Sequence, residues 1–206
     1  MKQQFLAFTS PIILTLSANA AVTTGVGWDG PGLGHADVSW YLGSTTSDLT
    51  YQQQFDITEL ALSRWADYAD ITFTYGSAVG ADNQIDFFLG ADSVDTNGFW
   101  GYAFSPDYLN ASSQAGDIYI DDGTTAPLWT AGTTGEAEFS FVNDVWLEAD
   151  IYYLLLHEIG HALGLDHPLG ATDNVAEGAV MSPFFGFDSG FSTATISGTP
   201  DPFEFA

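Results

Sequence analysis

Cysteine is absent from the 206-residue chain, and its basic residues are limited to Lys2 and Arg64. Without cysteine, no disulfide bond can stabilise the protein, even in an oxidising compartment. The two basic residues stand against 27 acidic residues, which gives a formal net charge of −25 at pH 7. A surface of this charge repels nucleic acids and anionic membranes, so we expect neither as a partner.

The acidic excess has two interpretations. It is typical of a protein that stays soluble in a saline medium, which is the simpler one. Binding of calcium or of cationic substrates is the alternative. The 46% of hydrophobic and 15% of aromatic residues exclude a disordered chain and predict one globular domain with a sizeable core.

Long apolar runs are scarce, and the clearest lies near the N-terminus. The run from Phe5 to Leu16 follows Lys2 and precedes Ala18-Asn19-Ala20, an A-x-A cleavage pattern. It is too short to span a bilayer, so residues 1–20 are predicted to be a secretory signal peptide. A buried N-terminal strand is the alternative. Residues 21–206 then form a mature chain that we expect to be secreted, extracellular and monomeric.

Hydrophobic periodicity predicts several elements in the mature chain. Residues 37–42, 71–75 and 84–89 are predicted strands, and Gln52–Tyr68 is a predicted helix with an apolar stripe at i, i+3 and i+4 spacing. Residues 21–36 are a Gly-rich, extended lead-in, and residues 131–145 are predicted to be irregular. The tail from Phe191 contains Gly198, Pro200 and Pro202 and lacks helical periodicity.

Histidine is also scarce, and three of the four histidines fall in one motif. Residues 157–167 read H-E-x-x-H-x-x-G-x-x-H. On a helix, His157 and His161 lie one turn apart on the same face, where both can bind one ion. Gly164 can adopt a positive φ that ends the helix, so that His167 returns as a third ligand. Three nitrogen ligands leave a fourth position open, which is typical of a catalytic zinc site.

Two simpler interpretations accompany the motif. The three histidines could be ordinary surface or core residues of a buried helix, although the extended spacing argues strongly against this. The fourth histidine, His35, has no partner at metal-ligand spacing and is predicted to be a surface residue.

The motif, together with a downstream methionine, resembles the metzincin family of zinc metallopeptidases. Met181 in Met-Ser-Pro-Phe-Phe is similar to the Met-turn of the matrixin branch, and His167-Pro168 is similar to the serralysin branch. The resemblance implies an α+β, sandwich-like fold. A twisted mixed sheet and a long helix form the upper part, about residues 37–167, with the zinc-binding active-site helix. The Met-turn lies below, in a short lower part of residues 168–206.

The resemblance also implies roles for the motif residues. His157, His161 and His167 bind one catalytic Zn²⁺, Glu158 is the general base, and Met181 forms a hydrophobic floor. The implied activity is that of a secreted zinc-dependent endopeptidase acting on proteins or peptides. Two alternatives stay open: a secreted zinc-bearing binding or adhesion protein without peptidase activity, and an acidic structural or calcium-buffering protein with an incidental metal site.

Further positions follow from the same resemblance. Residues 99–104 match the edge strand that pairs with substrate, which makes Trp100, Gly101, Tyr102 and Ala103 candidate substrate-binding residues; an ordinary internal strand is the alternative. Pro183 and Phe185 match the wall of the S1′ pocket, with core packing as the alternative. The absence of cysteine excludes the thiolate-based latency segment that matrixins often use.

The family's additional metal sites are only partly present. Tyr102 and Tyr119 stand at the positions of the histidines that bind a structural zinc in matrixins, so we expect one zinc and not two. Calcium binding is possible through oxygen ligands on two acidic stretches, although an acidic loop is usually only solvated. The candidate ligands are Asp92, Asp95, Asn97, Asp121 and Asp122.

Overall fold

The computed structural model describes residues 22–23, 27–29, 34–91, 100–106, 114–122, 128–131, 137–142, 145–167, 181 and 193–196. Residues 1–20 lie outside this part of the chain, so the signal peptide and the domain boundaries stay predictions. The same holds for most of the lower part, residues 168–206.

Two helices and eleven strands are found in these residues. In chain order, they are β1 (Val22–Thr23), β2 (Ala36–Ser44), α1 (Tyr51–Ala66), β3 (Ile71–Tyr75), β4 (Gln84–Ala91), β5 (Gly101–Ala103), β6 (Ile118–Asp121), β7 (Leu128–Thr130), β8 (Ala137–Val142), β9 (Val145–Asp150), α2 (Ile151–Ala162), β10 (Leu165–Asp166) and β11 (Thr193–Ile196).

The main sheet has five strands in the order β3-β2-β4-β6-β5. The first three pairings are parallel, and β5 runs antiparallel to β6 at the edge. The mixed sheet is the one expected from the resemblance, and β5 is its outermost strand within the part of the chain that the structure describes, as the resemblance implies. The strand predicted at residues 71–75 is β3 residue for residue.

Helix α1 packs its apolar face against this sheet and against α2. Thr50 begins the helix with a capping box, because its hydroxyl accepts from the Gln53 N–H and the Gln53 side chain accepts from the Thr50 N–H. Trp65 is buried, and its indole N–H donates to the Leu156 carbonyl of α2 at 3.1 Å. The two helices are therefore held together at the level of the histidine motif. Neither is long and apolar enough to cross a bilayer.

A second sheet corrects the expectation for residues 131–145. Its order is β11-β8-β9-β7, and β8 and β9 form an antiparallel pair. For residues 137–142 and 145, the prediction of an irregular segment was wrong, because the scattered acidic residues obscured two runs of apolar alternation. Residues 132–136 and 143–144 lie outside the described residues. Strand β11 adds to β8, so residues 193–196 of the tail are extended.

Two carboxyl groups are buried beside each other on the main sheet. Asp86 is 1% exposed and Asp117 is 3% exposed, and the Asp86 N–H donates to Asp117 Oδ1 at 3.2 Å. Asp86 also accepts from the Gly80 N–H and from Gln84 Nε2, each at 2.6 Å. Burial raises the pKa of Asp117 to about 7. The hydrogen bond from the Asp86 N–H lowers this pKa, and the negative charge of Asp86 raises it further. Burial also raises the pKa of Asp86.

The raised pKa makes Asp117 a source of pH-dependent stability. Between its ordinary pKa and about 7, the folded protein binds this proton more tightly than the unfolded chain, so the free energy of unfolding falls as pH rises through that window. Asp117→Asn removes this contribution and should raise the free energy of unfolding at pH 8 by up to about 4 kcal/mol.

Urea denaturation of the metal-free protein between pH 4.5 and pH 8 measures the effect. Asp82→Asn, at an exposed position, is the matched control and should follow the wild-type curve. Identical pH slopes for Asp117→Asn and wild type would contradict the assignment.

Candidate metal centre and active site

Helix α2 carries the histidine motif through the core. Asp150 caps its N-terminus, since its Oδ1 accepts from the Tyr152 N–H at 2.9 Å. Residues 151–160 are all buried, so the ligand-bearing helix is a core element and not a surface one. Gly164 follows with φ of 95°, the left-handed conformation that the sequence predicts for the turn out of the helix.

The three motif histidines converge on one point. The Nε2 atoms of His157 and His161 lie 3.1 Å apart, those of His161 and His167 3.1 Å, and those of His167 and His157 3.2 Å. Tetrahedral zinc with Zn–N bonds of about 2.0–2.1 Å requires nitrogen separations of about 3.3 Å. The donor set therefore fits one zinc ion.

A backbone contact selects the tautomer of His161. Its Nδ1 lies 2.8 Å from the Leu165 carbonyl oxygen. A carbonyl can only accept, so Nδ1 carries the proton and Nε2 presents its lone pair to the other two rings. Burial lowers the pKa of His161, and burial together with the neighbouring His161 lowers that of His167. These effects favour the neutral rings that a metal ligand requires.

Glu158 is buried beside the edge strand. It is 4% exposed, and burial raises its pKa to about 8 in the metal-free protein. A Cβ atom placed on Gly101 would lie 2.6 Å from Glu158 Oε1, so the backbone of β5 contacts this carboxyl group without an intervening side chain. The candidate base and the candidate substrate strand are thus direct neighbours.

The other candidate residues of β5 have distinct surroundings. Trp100 packs edge-on against Trp129 at 6.3 Å, and its carbonyl accepts from the Asp121 N–H at 2.9 Å. Tyr102 pairs across the strands with Tyr119, and Ala103 pairs with Ile118. The two tyrosines for which the resemblance implies the positions of the structural-zinc histidines are therefore adjacent in space.

Met181 lies beneath the motif helix, as the Met-turn resemblance implies. It is buried, and its sulfur packs against the backbone of Gly160 so closely that a Cβ atom there would collide with it. The Trp65 ring also lies beside Gly160, 3.1 Å from where a Cβ atom on Gly160 would be. Sequence reasoning missed Gly160, although its position inside the motif is a usable signal for close packing. Pro183 and Phe185 lie outside the described residues.

The acidic candidates for calcium are only partly described. Asp122 accepts from the Thr46 hydroxyl at 2.8 Å and from the Ser47 N–H at 3.0 Å, so its carboxylate joins the end of β6 to a loop. Asp121 is buried in β6, and its carbonyl accepts from Trp129 Nε1 at 2.7 Å. Asp92, Asp95 and Asn97 lie outside the described residues. Calcium binding therefore stays a prediction.

His35 lies apart from the motif, on the surface. Its ring nitrogens each lie 2.9 Å from a carboxylate oxygen, one of Asp37 and one of Asp70. Within the described ranges, the three motif histidines are the one group of three or more His, Cys, Asp or Glu side chains with ligand atoms close enough to share an ion.

Comparison with known proteins identifies the family. The matrixin family model matches residues 32–194. The chain belongs to the matrixin family of metallopeptidases. This match covers the main five-stranded sheet, α1, the motif helix α2 and Met181. It confirms both the metzincin resemblance and the α+β fold class.

Curated relatives of this matrixin come from animals and bacteria. It is 31% identical to stromelysin-3 of Rattus norvegicus over 132 residues, which are 62% of this chain and 22% of that protein. It is 32% identical to interstitial collagenase of Equus caballus over 161 residues, 74% of this chain and 29% of that protein. It is 29% identical to metalloprotease AprA of Pseudomonas entomophila over 123 residues, 58% of this chain and 22% of that protein.

This matrixin spans under a third of the length of these three relatives. The part matched by the family model, residues 32–194, contains the histidine motif and the main sheet. The substrates of the whole proteins are therefore only proposed for this chain.

Proposed function

We propose that this matrixin is a secreted endopeptidase that uses one zinc ion to hydrolyse peptide bonds. The proposal rests on the Nε2 atoms of His157, His161 and His167, which lie 3.1–3.2 Å from one another. The buried Glu158 supports it, because the edge strand contacts its carboxyl group directly. A zinc site without peptidase activity does not require the general base Glu158, so its presence argues for catalysis.

Each residue has a defined task in the proposed reaction. His157, His161 and His167 hold the ion, and zinc, when bound, supplies a water of lowered pKa and an electrophilic site for the scissile carbonyl. Glu158 accepts a proton from the attacking water and returns it to the nitrogen of the leaving amine. A divalent cation beside Glu158 favours the ionised carboxylate that this role needs, in opposition to the effect of burial.

The substrate is proposed to bind as an additional strand on β5. An extended peptide can add to the outer side of an edge strand through main-chain hydrogen bonds, without regard to its side chains. Gly101 lets the peptide backbone and Glu158 approach each other, while Trp100, Tyr102 and Ala103 belong to the same edge. Pro183 and Phe185 are proposed to form an apolar S1′ wall that favours a large hydrophobic residue after the cleaved bond.

The remaining properties belong to the same proposal. Residues 1–20 direct secretion, and the mature enzyme acts outside the cell as a monomer on protein or peptide substrates. It carries one zinc ion, with calcium as a possible additional ion at Asp92, Asp95, Asp121 and Asp122. The net charge of −25 argues against nucleic acids and anionic membranes as partners.

The proposal is tested by casein digestion with the purified protein, with and without a chelator. Zinc is measured in the same sample. We expect about one zinc ion per chain and cleavage that a chelator abolishes and added zinc restores. Bound zinc without cleavage of casein or gelatin would favour a binding or adhesion protein. Absence of zinc would favour an acidic structural or calcium-buffering protein, and about two zinc ions would contradict the single-site expectation.

A further inference from the structure

The segment that precedes the main sheet docks beside the third histidine. Strand β1 pairs antiparallel with β10, with Val22 opposite Asp166 and Thr23 opposite Leu165. Strand β10 lies between Gly164, where the chain leaves the motif helix, and His167. A short N-terminal strand therefore holds the backbone that leads into a proposed zinc ligand.

Strand β10 also sets the orientation of the second histidine. The Leu165 carbonyl accepts from His161 Nδ1 at 2.8 Å, and Leu165 is the residue opposite Thr23 in the pairing. Partners of this kind, which bind the second ring nitrogen of a histidine ligand, fix its tautomer and ring direction. Any displacement of β10 moves the oxygen that orients His161.

Trp28 makes a second contact with the same region. Its indole N–H donates to the carbonyl of Ala162, the last residue of α2, at 2.8 Å. The last carbonyls of a helix have no partner within the helix, so this bond satisfies one of them and fixes the end of α2. The Trp28 ring packs against Gly116, where a Cβ atom would collide with it. Trp28 thereby connects the start of β6 to the end of the motif helix.

We propose that strand β1 and Trp28 form a positioning element for the zinc site, with Trp28 as its principal positioning residue. The inference rests on the proposed zinc site, but concerns residues outside the histidine motif. Strand β1 holds β10 and the Leu165 carbonyl, and Trp28 holds the end of α2. Together they keep the rings of His161 and His167 directed at the shared ion, although Trp28 is not itself a ligand.

Trp28→Phe tests the proposal through metal affinity. The variant loses the indole N–H bond to Ala162, and we expect its zinc Kd to rise about tenfold, within the range for residues that support metal ligands. The Kd is measured on folded protein by competition with a chromogenic chelator. The visible absorption of the Co²⁺-substituted protein, which reports the geometry of the ligands, should change in parallel.

Trp129→Phe is the matched control, because it also removes an indole N–H bond to a backbone carbonyl, that of Asp121 at 2.7 Å, a residue outside the histidine motif. It should lower Tm and leave the zinc Kd and the Co²⁺ spectrum unchanged. A second variant of the mature chain lacks residues 21–26 and so removes β1 while keeping Trp28; its zinc Kd should also rise. This variant decides the test should Trp28→Phe fail to fold.

The outcomes separate this inference from the proposed function. An unchanged zinc Kd in the folded variants, or an equal rise in Trp129→Phe, would overturn the positioning role while leaving the zinc site intact. A wild-type protein that binds no zinc would overturn the proposed function, and the positioning role with it.

Discussion

Glu158→Gln should retain one zinc ion and lose peptidase turnover by about 10²–10⁴-fold, the range for removal of a general acid–base group. Glutamine has nearly the same shape and fits the buried space beside Gly101. It cannot accept the proton from the attacking water, so the loss should appear in kcat more than in KM. Zinc content and steady-state kinetics on a peptide substrate measure the two parts of the prediction separately.

Glu148→Gln is the matched control for this variant. Glu148 is an exposed carboxylate on β9, two residues before the helix cap Asp150. The same chemical change there should leave zinc content and kcat near wild-type values. A Glu158→Gln enzyme with kcat close to wild type would remove Glu158 from the mechanism and leave the base to be found elsewhere.

His161→Ala should abolish stoichiometric zinc binding. Loss of a partner of a zinc ligand weakens metal affinity by about 10–100-fold, and loss of the ligand itself should exceed that range. The Nε2 atom of His161 lies 3.1 Å from that of each of the other two histidines, so its loss removes one of three converging donors. Elemental analysis after dialysis against a weak chelator should show zinc in wild type and almost none in the variant, and peptidase activity should fall to background.

His35→Ala supplies the comparison for a histidine outside the motif. His35 is exposed and lies between Asp37 and Asp70. Its removal should leave zinc content and peptidase activity unchanged. Equal zinc loss in both variants would show that histidine number, and not the geometry of the motif, determines metal retention.

The parts of the site that are local in sequence could be predicted from the sequence. The i, i+4 spacing fixes His157 and His161 on one face of a helix because helical geometry depends on neighbouring residues alone. Gly164 was predicted to turn the chain, and its φ of 95° agrees. The long helix and the strand at residues 71–75 follow from periodic patterns of the same local kind.

The supporting contacts could not be predicted because they join distant parts of the chain. The bond from Trp28 to Ala162 spans 134 residues, and a two-residue strand such as β1 leaves no periodic pattern. The contact between Gly101 and Glu158 depends on where the edge strand lies over the helix, which only the packing determines. The same applies to Asp86 and Asp117, whose adjacency follows from the pairing of β4 with β6.

The complete burial of residues 151–160 has a consequence for how the protein acquires its metal. In small zinc domains the apoprotein is unfolded, and ion binding supplies the free energy of folding. Here apolar packing fixes the helix that bears His157 and His161, so we expect folding of the chain and binding of the ion to be separate events. We therefore expect the folded protein to take up zinc at the proposed site, with the surrounding zinc concentration setting the fraction of the protein that carries the ion.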